Sequence, residues 1–138
     1  MVPFRRQICL FCISVFFVPM LAEAAVLECT ITEVSDPRAS GAIGQNRGFN
    51  YTGKEIYKRA TDGTFVAPVP ITERYKQRVV ASLRQEVLDH TNRGFTHMET
   101  RYELTSDGSL TEYDVMTSSK NSDVLIYRYR CASSSNLW

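Results

Sequence analysis

The stretch Ile71-Thr72-Glu73-Arg74-Tyr75-Lys76-Gln77-Arg78-Val79-Val80-Ala81-Ser82-Leu83-Arg84-Gln85-Glu86-Val87-Leu88-Asp89-His90-Thr91-Asn92-Arg93-Gly94 decides the fold class. Tyr75, Val79, Leu83 and Val87 recur every four residues, and Val80 and Leu88 widen the stripe. That spacing puts the apolar side chains on one face of a helix. Thr72 is a good N-cap and Gly94 a good C-terminal stop. The reading is a helix of about 20 residues with one apolar face, which needs a sheet to lie on.

Strands flank it on both sides. C-terminal to it the period changes to two, with Met98, Tyr102 and Leu104 sharing a face. Asp107-Gly108 reads as a two-residue hairpin turn that pairs Ser106 with Ser109. In that register Tyr102 faces Tyr113, Thr100 faces Val115, Arg101 faces Asp114, and Glu103 meets Glu112 as a like-charge pair. In the last strand Leu125, Tyr127, Tyr129 and Cys131 alternate with Ile126, Arg128 and Arg130. N-terminal to the helix, Val26 to Val34 alternates with Leu27, Cys29 and Ile31 on one face. Ser35 to Gly48 is a polar, Gly-containing loop, and Phe49 to Arg59 reads as one further strand. Asp62-Gly63 marks a turn, and Pro68 and Pro70 end any strand there. The expected fold class is therefore α+β: an antiparallel sheet of four to five strands with one long amphipathic helix packed across it.

The N-terminus reads as a leader. Arg5 and Arg6 precede an apolar run from Ile8 to Val18, then Pro19 and the small-residue tripeptide Ala22-Glu23-Ala24. This is the order of a secretory signal peptide with cleavage after Ala24. The run is too short for the ~20 residues that span a bilayer, so no stable membrane anchor is expected after cleavage. Residues 25–138 then form a single exported domain.

Taking Arg5, Arg6 and Glu23 from the chain's 16 Lys+Arg and 15 Asp+Glu leaves 14 of each. A neutral domain argues against nucleic acid as partner. Cys9 and Cys12 leave with the leader, so Cys29 and Cys131 remain, and two thiols in an exported chain imply one disulfide. Both cysteines are in phase with their strands' apolar faces, which suits a bridge between the first and last strands. No metal motif is present, and no cofactor is expected.

The residues Tyr75 to Leu83, Tyr102 to Leu110 and Val115 to Ser119, in the order helix, strand, Asp-Gly turn, strand, resemble the C-terminal periplasmic domains of TonB and TolA. The resemblance implies an envelope setting and a sheet-plus-helix architecture. The chain departs from that pattern where Val124 to Cys131 reads as a strand instead of a second helix.

The chemistry-bearing residues point to recognition. Arg74, Lys76, Arg78 and Arg84 fill the first half of the expected helix, ahead of Glu86 and Asp89, an order opposite to what the helix dipole favours. Helix stability did not select it, so these residues, with Arg128 and Arg130 on the last strand, are candidate contacts for an acidic protein partner. The expectation is a non-enzymatic periplasmic or secreted binding protein. Its concrete form is an inhibitor or immunity-type protein that neutralises an envelope-acting bacteriocin or hydrolase through the Ser35–Gly48 loop and the charged helix face. The first alternative is an accessory component of an envelope-spanning transport or conjugation apparatus. The second is a small secreted hydrolase using His90 and His97 with Glu86.

Overall fold

A computed structural model describes residues 25–60, 62–63, 66–86 and 95–133, with Phe95 as backbone only. The expected leader, His90 and Gly94 lie outside the described residues. The architecture is an eight-stranded antiparallel barrel: β1 (Ala25–Val34), β2 (Asn46–Tyr51), β3 (Glu55–Arg59), β4 (Val69–Arg74), β5 (Arg78–Glu86), β6 (Phe95–Thr105), β7 (Ser109–Ser118) and β8 (Ser122–Ser133). Each strand pairs with the next, and β8 closes on β1. Among the described residues the one helical segment is a 3-10 helix, Pro37–Ala42. Asp36 caps it, accepting from the Arg38 amide at 2.9 Å.

This corrects the α+β expectation. The stretch from Thr72 to Glu86 is two strands and a tight turn, so the helix expected there, including that implied by the TonB/TolA resemblance over Tyr75 to Leu83, is absent. A four-residue spacing is also two periods of a strand, so Val79 and Leu83 share a strand face as readily as a helix face. Ala81, fully buried between them, completes that face. The turn is Lys76-Gln77, closed by the Tyr75 amide donating to the Arg78 carbonyl at 2.8 Å. It holds no Gly, Asn or Asp, so the usual hairpin signature is missing. Thr72, read as a helix cap, sits where the β4–β5 register shifts between Ile71 and Glu73. Such bulges add the curvature a small barrel needs, and two others occur, in the β1–β8 and β6–β7 pairings.

Two lesser expectations change as well. The single strand over Phe49 to Arg59 is β2 and β3, turned at Thr52-Gly53-Lys54 with Gly53 at φ +83°. Pro70 does not end a strand; it lies in β4 opposite Glu55.

Strand alternation fills the barrel interior with Leu27, Ile31, Phe49, Ile56, Leu104 and Leu110, all buried. Each such side chain contributes about 1.5–3 kcal/mol by leaving water. The Phe49 ring meets Tyr102 and Tyr129 edge-on at 5.6 and 5.2 Å. Cys29 and Cys131 stand directly opposite each other in the β1–β8 register and are joined by a disulfide with an S–S distance of 2.02 Å. The covalent link thus lies across the seam where the barrel closes.

Candidate functional site

The turns at Thr52–Lys54, Lys76-Gln77 and Ser106–Gly108 lie at one end of the barrel, the end the packed apolar layer fills. The C-terminal ends of β1, β3, β5 and β7 lie at the other end, the mouth. Ala60 and Ala67 there are small and Gln85 is polar, so the interior is not filled, and a cleft of about 530 Å³ opens to solvent. Its apolar wall comes from Val66, Val69, Leu83, Met98, Met116 and Leu125. Eight strands leave an interior just wide enough for side chains or one small ligand, and the two ends of this barrel show the two cases.

The floor of the cleft is a buried ionic cluster. Lys58 reaches inward from β3 and Glu112 from β7, with Nζ donating to Oε1 at 2.8 Å. The Tyr129 hydroxyl donates to Glu112 Oε2 at 2.5 Å. Glu112 is 2% exposed, the one buried charged side chain among the described residues, and both its oxygens are satisfied. That is the condition under which a buried carboxylate is tolerated. Burial first, and then the charge of Glu112, raise the pKa values of the Tyr129 and Tyr102 hydroxyls, so both remain protonated.

One turn of alternation nearer the mouth stands Asp114. Burial, and next the neighbouring charge of Glu112, push its carboxyl up to about 6, against the opposing pull of Lys58 and of a hydrogen bond from Thr100 Oγ1 at 3.2 Å. A carboxyl raised by burial in a cleft that sets a few polar groups on apolar walls is the pattern of a candidate binding site.

Glu112 and Asp114 face inward because of the β6–β7 turn. The observed register pairs Leu104 with Leu110, Tyr102 with Glu112 and Thr100 with Asp114. This is one residue off the register expected from a two-residue Asp-Gly loop, and in a strand a slip of one exchanges the faces. The loop holds three residues, Ser106-Asp107-Gly108, with Gly108 at φ +88°. Asp107 fastens it, accepting from the Ser109 amide at 2.9 Å and from the Thr105 hydroxyl. A Cβ at position 108 would come within 2.8 Å of the Cys131 carbonyl, so glycine is required by approach as well as by φ. Tyr113, expected to face Tyr102, points outward, with the Arg101 guanidinium 5.8 Å from its ring centroid.

Sequence reasoning missed Lys58, Glu112 and Asp114. The signal available was parity: Leu110 and Met116 flank both carboxylates at two-residue steps, but Tyr113 and Val115 made the opposite face look more apolar.

The cations singled out in the sequence do not form one surface. Arg74, Lys76 and Arg78 gather at the β4–β5 turn on the filled end, where Arg74 donates to the Tyr51 hydroxyl at 3.1 Å and Arg78 lies 4.4 Å over the Tyr75 ring. Arg84 lies on the mouth half of β5, opposite Glu99. On β8, Arg128 pairs with Glu33 at 3.4 Å and Arg130 donates to the Asp107 carbonyl at 3.3 Å. No helix face unites them. His97 on β6 does stand opposite Glu86, as the acid-base alternative required, but strand alternation turns it away from the cleft lined by Met98, Thr100 and Tyr102.

No family model, curated protein or solved structure matches this chain.

Proposed function

We propose that this chain is a non-catalytic binding protein of the bacterial envelope whose barrel mouth holds a small amphiphilic molecule. The observation that carries this reading is a cleft of about 530 Å³ in which apolar walls converge on a few polar groups. The disulfide supports an oxidising compartment. Titration with a fluorescent apolar probe such as N-phenylnaphthylamine tests it. The expected result is saturable one-to-one binding by the wild type and its loss in Met98→Trp, whose indole fills the cleft, with the β circular-dichroism signal retained. Equal binding by the filled variant, or none by either, overturns the reading.

A second reading keeps the inhibitor or immunity-type expectation and moves its contact to the mouth. Ile43, Val66 and Val124 are about half exposed, at 50%, 48% and 52%, and sit on three of the chain segments around that opening. Exposed apolar side chains grouped around an opening suit a protein contact. Ile43 belongs to the Ser35–Gly48 loop named from the sequence. Recovery of one soluble partner from periplasmic extract, lost on Ile43→Glu with Val124→Glu, supports this version. Copurification with a membrane complex supports the transport-apparatus alternative.

A further inference from the structure

Resting on the reading of the mouth as a small-molecule site, we propose that its ligand is a cationic amphiphile, an ammonium or guanidinium group on an apolar tail. Asp114 receives the head group, and Leu83, Met98, Met116 and Leu125 receive the tail.

Arg47, Lys58 and Arg59 line the cleft with Glu112 and Asp114, and it is the local setting of Asp114 that favours this sign. Lys58 is committed to Glu112 at 2.8 Å. Arg59 lies one residue on from the inward Lys58, so strand alternation directs it outward, where it approaches Glu28 at 4.0 Å and Asn50 at 3.4 Å. Arg47, in β2 two residues from the inward Phe49, lines the cleft; its guanidinium donates to the Gln45 side chain at 2.8 Å and the Asn46 carbonyl at 2.9 Å, and its charge acts on Tyr129, whereas the cation acting on Asp114 is Lys58. Asp114 differs from all three. It accepts from Thr100, and no Lys, Arg or His among the described residues lies within ion-pair distance of it. The groups facing it are Glu112 on its own strand, Lys58 from β3, Thr100 and Tyr102 from β6, and apolar Leu125 directly opposite on β8. A carboxylate half out of water, beside a second carboxylate, gains from an incoming cation more than an exposed one does, because the local dielectric is low. Two thioethers in the wall, Met98 and Met116, paired across β6 and β7, adapt to tails of differing shape.

The test uses three probes with the same ten-carbon tail and fixed charge: decyltrimethylammonium, decanol and decyl sulfate, each below its micelle concentration and each displacing the fluorescent probe. At pH 8 the cation is expected to bind about 10-fold tighter than decanol, a difference of about 1.4 kcal/mol, with the anion weakest. That preference falls severalfold on going to pH 5, because protonated Asp114 carries no charge while the probe's charge is fixed. Asp114→Asn makes the three affinities converge at both pH values.

Decyl sulfate binding as tightly as the cation, or a preference for the cation that survives in Asp114→Asn, overturns the inference. The pH series on the wild type decides independently if that variant does not fold. Decanol binding without any charge preference leaves the cleft as a ligand site and removes only the cation. Failure of all three probes together with the fluorescent one removes the site itself.

Discussion

The two ends of this barrel are made by the same eight strands and the same alternation, yet one is solid and the other is open. At the filled end Phe49, Leu104 and Leu110 interlock, and among the described residues no charged side chain is buried there. Toward the mouth the same rows continue as Lys58, Thr100, Glu112 and Asp114, and packing gives way to an ion pair and then to a cleft. Folding energy is therefore concentrated in one half, and the other half carries groups that cost energy to bury. This is the division expected when a rigid scaffold holds a site that stability alone would not select.

Mutations at the two ends should differ accordingly. The bridge lies on the filled side, where the Cys131 amide donates to the Gly108 carbonyl beside the β6–β7 turn. Replacing both cysteines with alanine removes a link across 102 residues and is expected to cost about 4–5 kcal/mol in urea denaturation. A loss under ~1 kcal/mol would mean that the barrel closes as firmly without its covalent seam. Phe49→Ala empties a space inside the apolar layer and should cost about 3–5 kcal/mol. Met98→Ala, in the wall of an existing cleft, should cost under about 1 kcal/mol, and equal costs would abolish the distinction between the ends.

Glu112→Leu strands the Lys58 ammonium and leaves the Tyr129 hydroxyl without its acceptor, for an expected loss of about 3 kcal/mol. Pairing it with Lys58→Met should restore most of that loss, since an apolar pair of similar volume avoids burying charge. If the double variant is no better than the single one, the cluster contributes more than mutual neutralisation.

The smallest effect concerns pH. The folded-state value of Asp114, about 6, lies above its ordinary 3.8, so its contribution to stability is present below 3.8 and is lost as pH rises through 6. Asp114→Asn should therefore stabilise the protein above pH 6 by about 1 kcal/mol, once solvent screening of this partly exposed group is allowed for. The gain should vanish near pH 4. A gain independent of pH would assign the effect to shape instead of charge.

Where a residue's local pattern had a single physical solution, the sequence could be read correctly. Leu27, Cys29 and Ile31 alternate with polar neighbours, and so do Tyr127, Tyr129 and Cys131, so the inward faces of β1 and β8 and the bridge between them were legible. The same held for Met98, Tyr102 and Leu104 on β6. Reading failed where one pattern had two solutions. Val79 and Leu83 fit either a helix or a strand, and the turn that settles the matter, Lys76-Gln77, carries none of the residues that signal turns. The carboxylates of β7 were misplaced because a two-residue and a three-residue loop are both compatible with Asp107-Gly108.

What the chain's own order of residues determined, then, was local: which strands alternate, which cysteines share a face, where glycine permits a turn. Only the closed barrel decided the rest. Closure sets each strand's register against two neighbours at once, and one residue of register separates a carboxylate facing solvent from a carboxylate lining the mouth. Lys58 and Glu112 are 54 positions apart in the chain, and their pairing exists because β3 and β7 face each other across the interior.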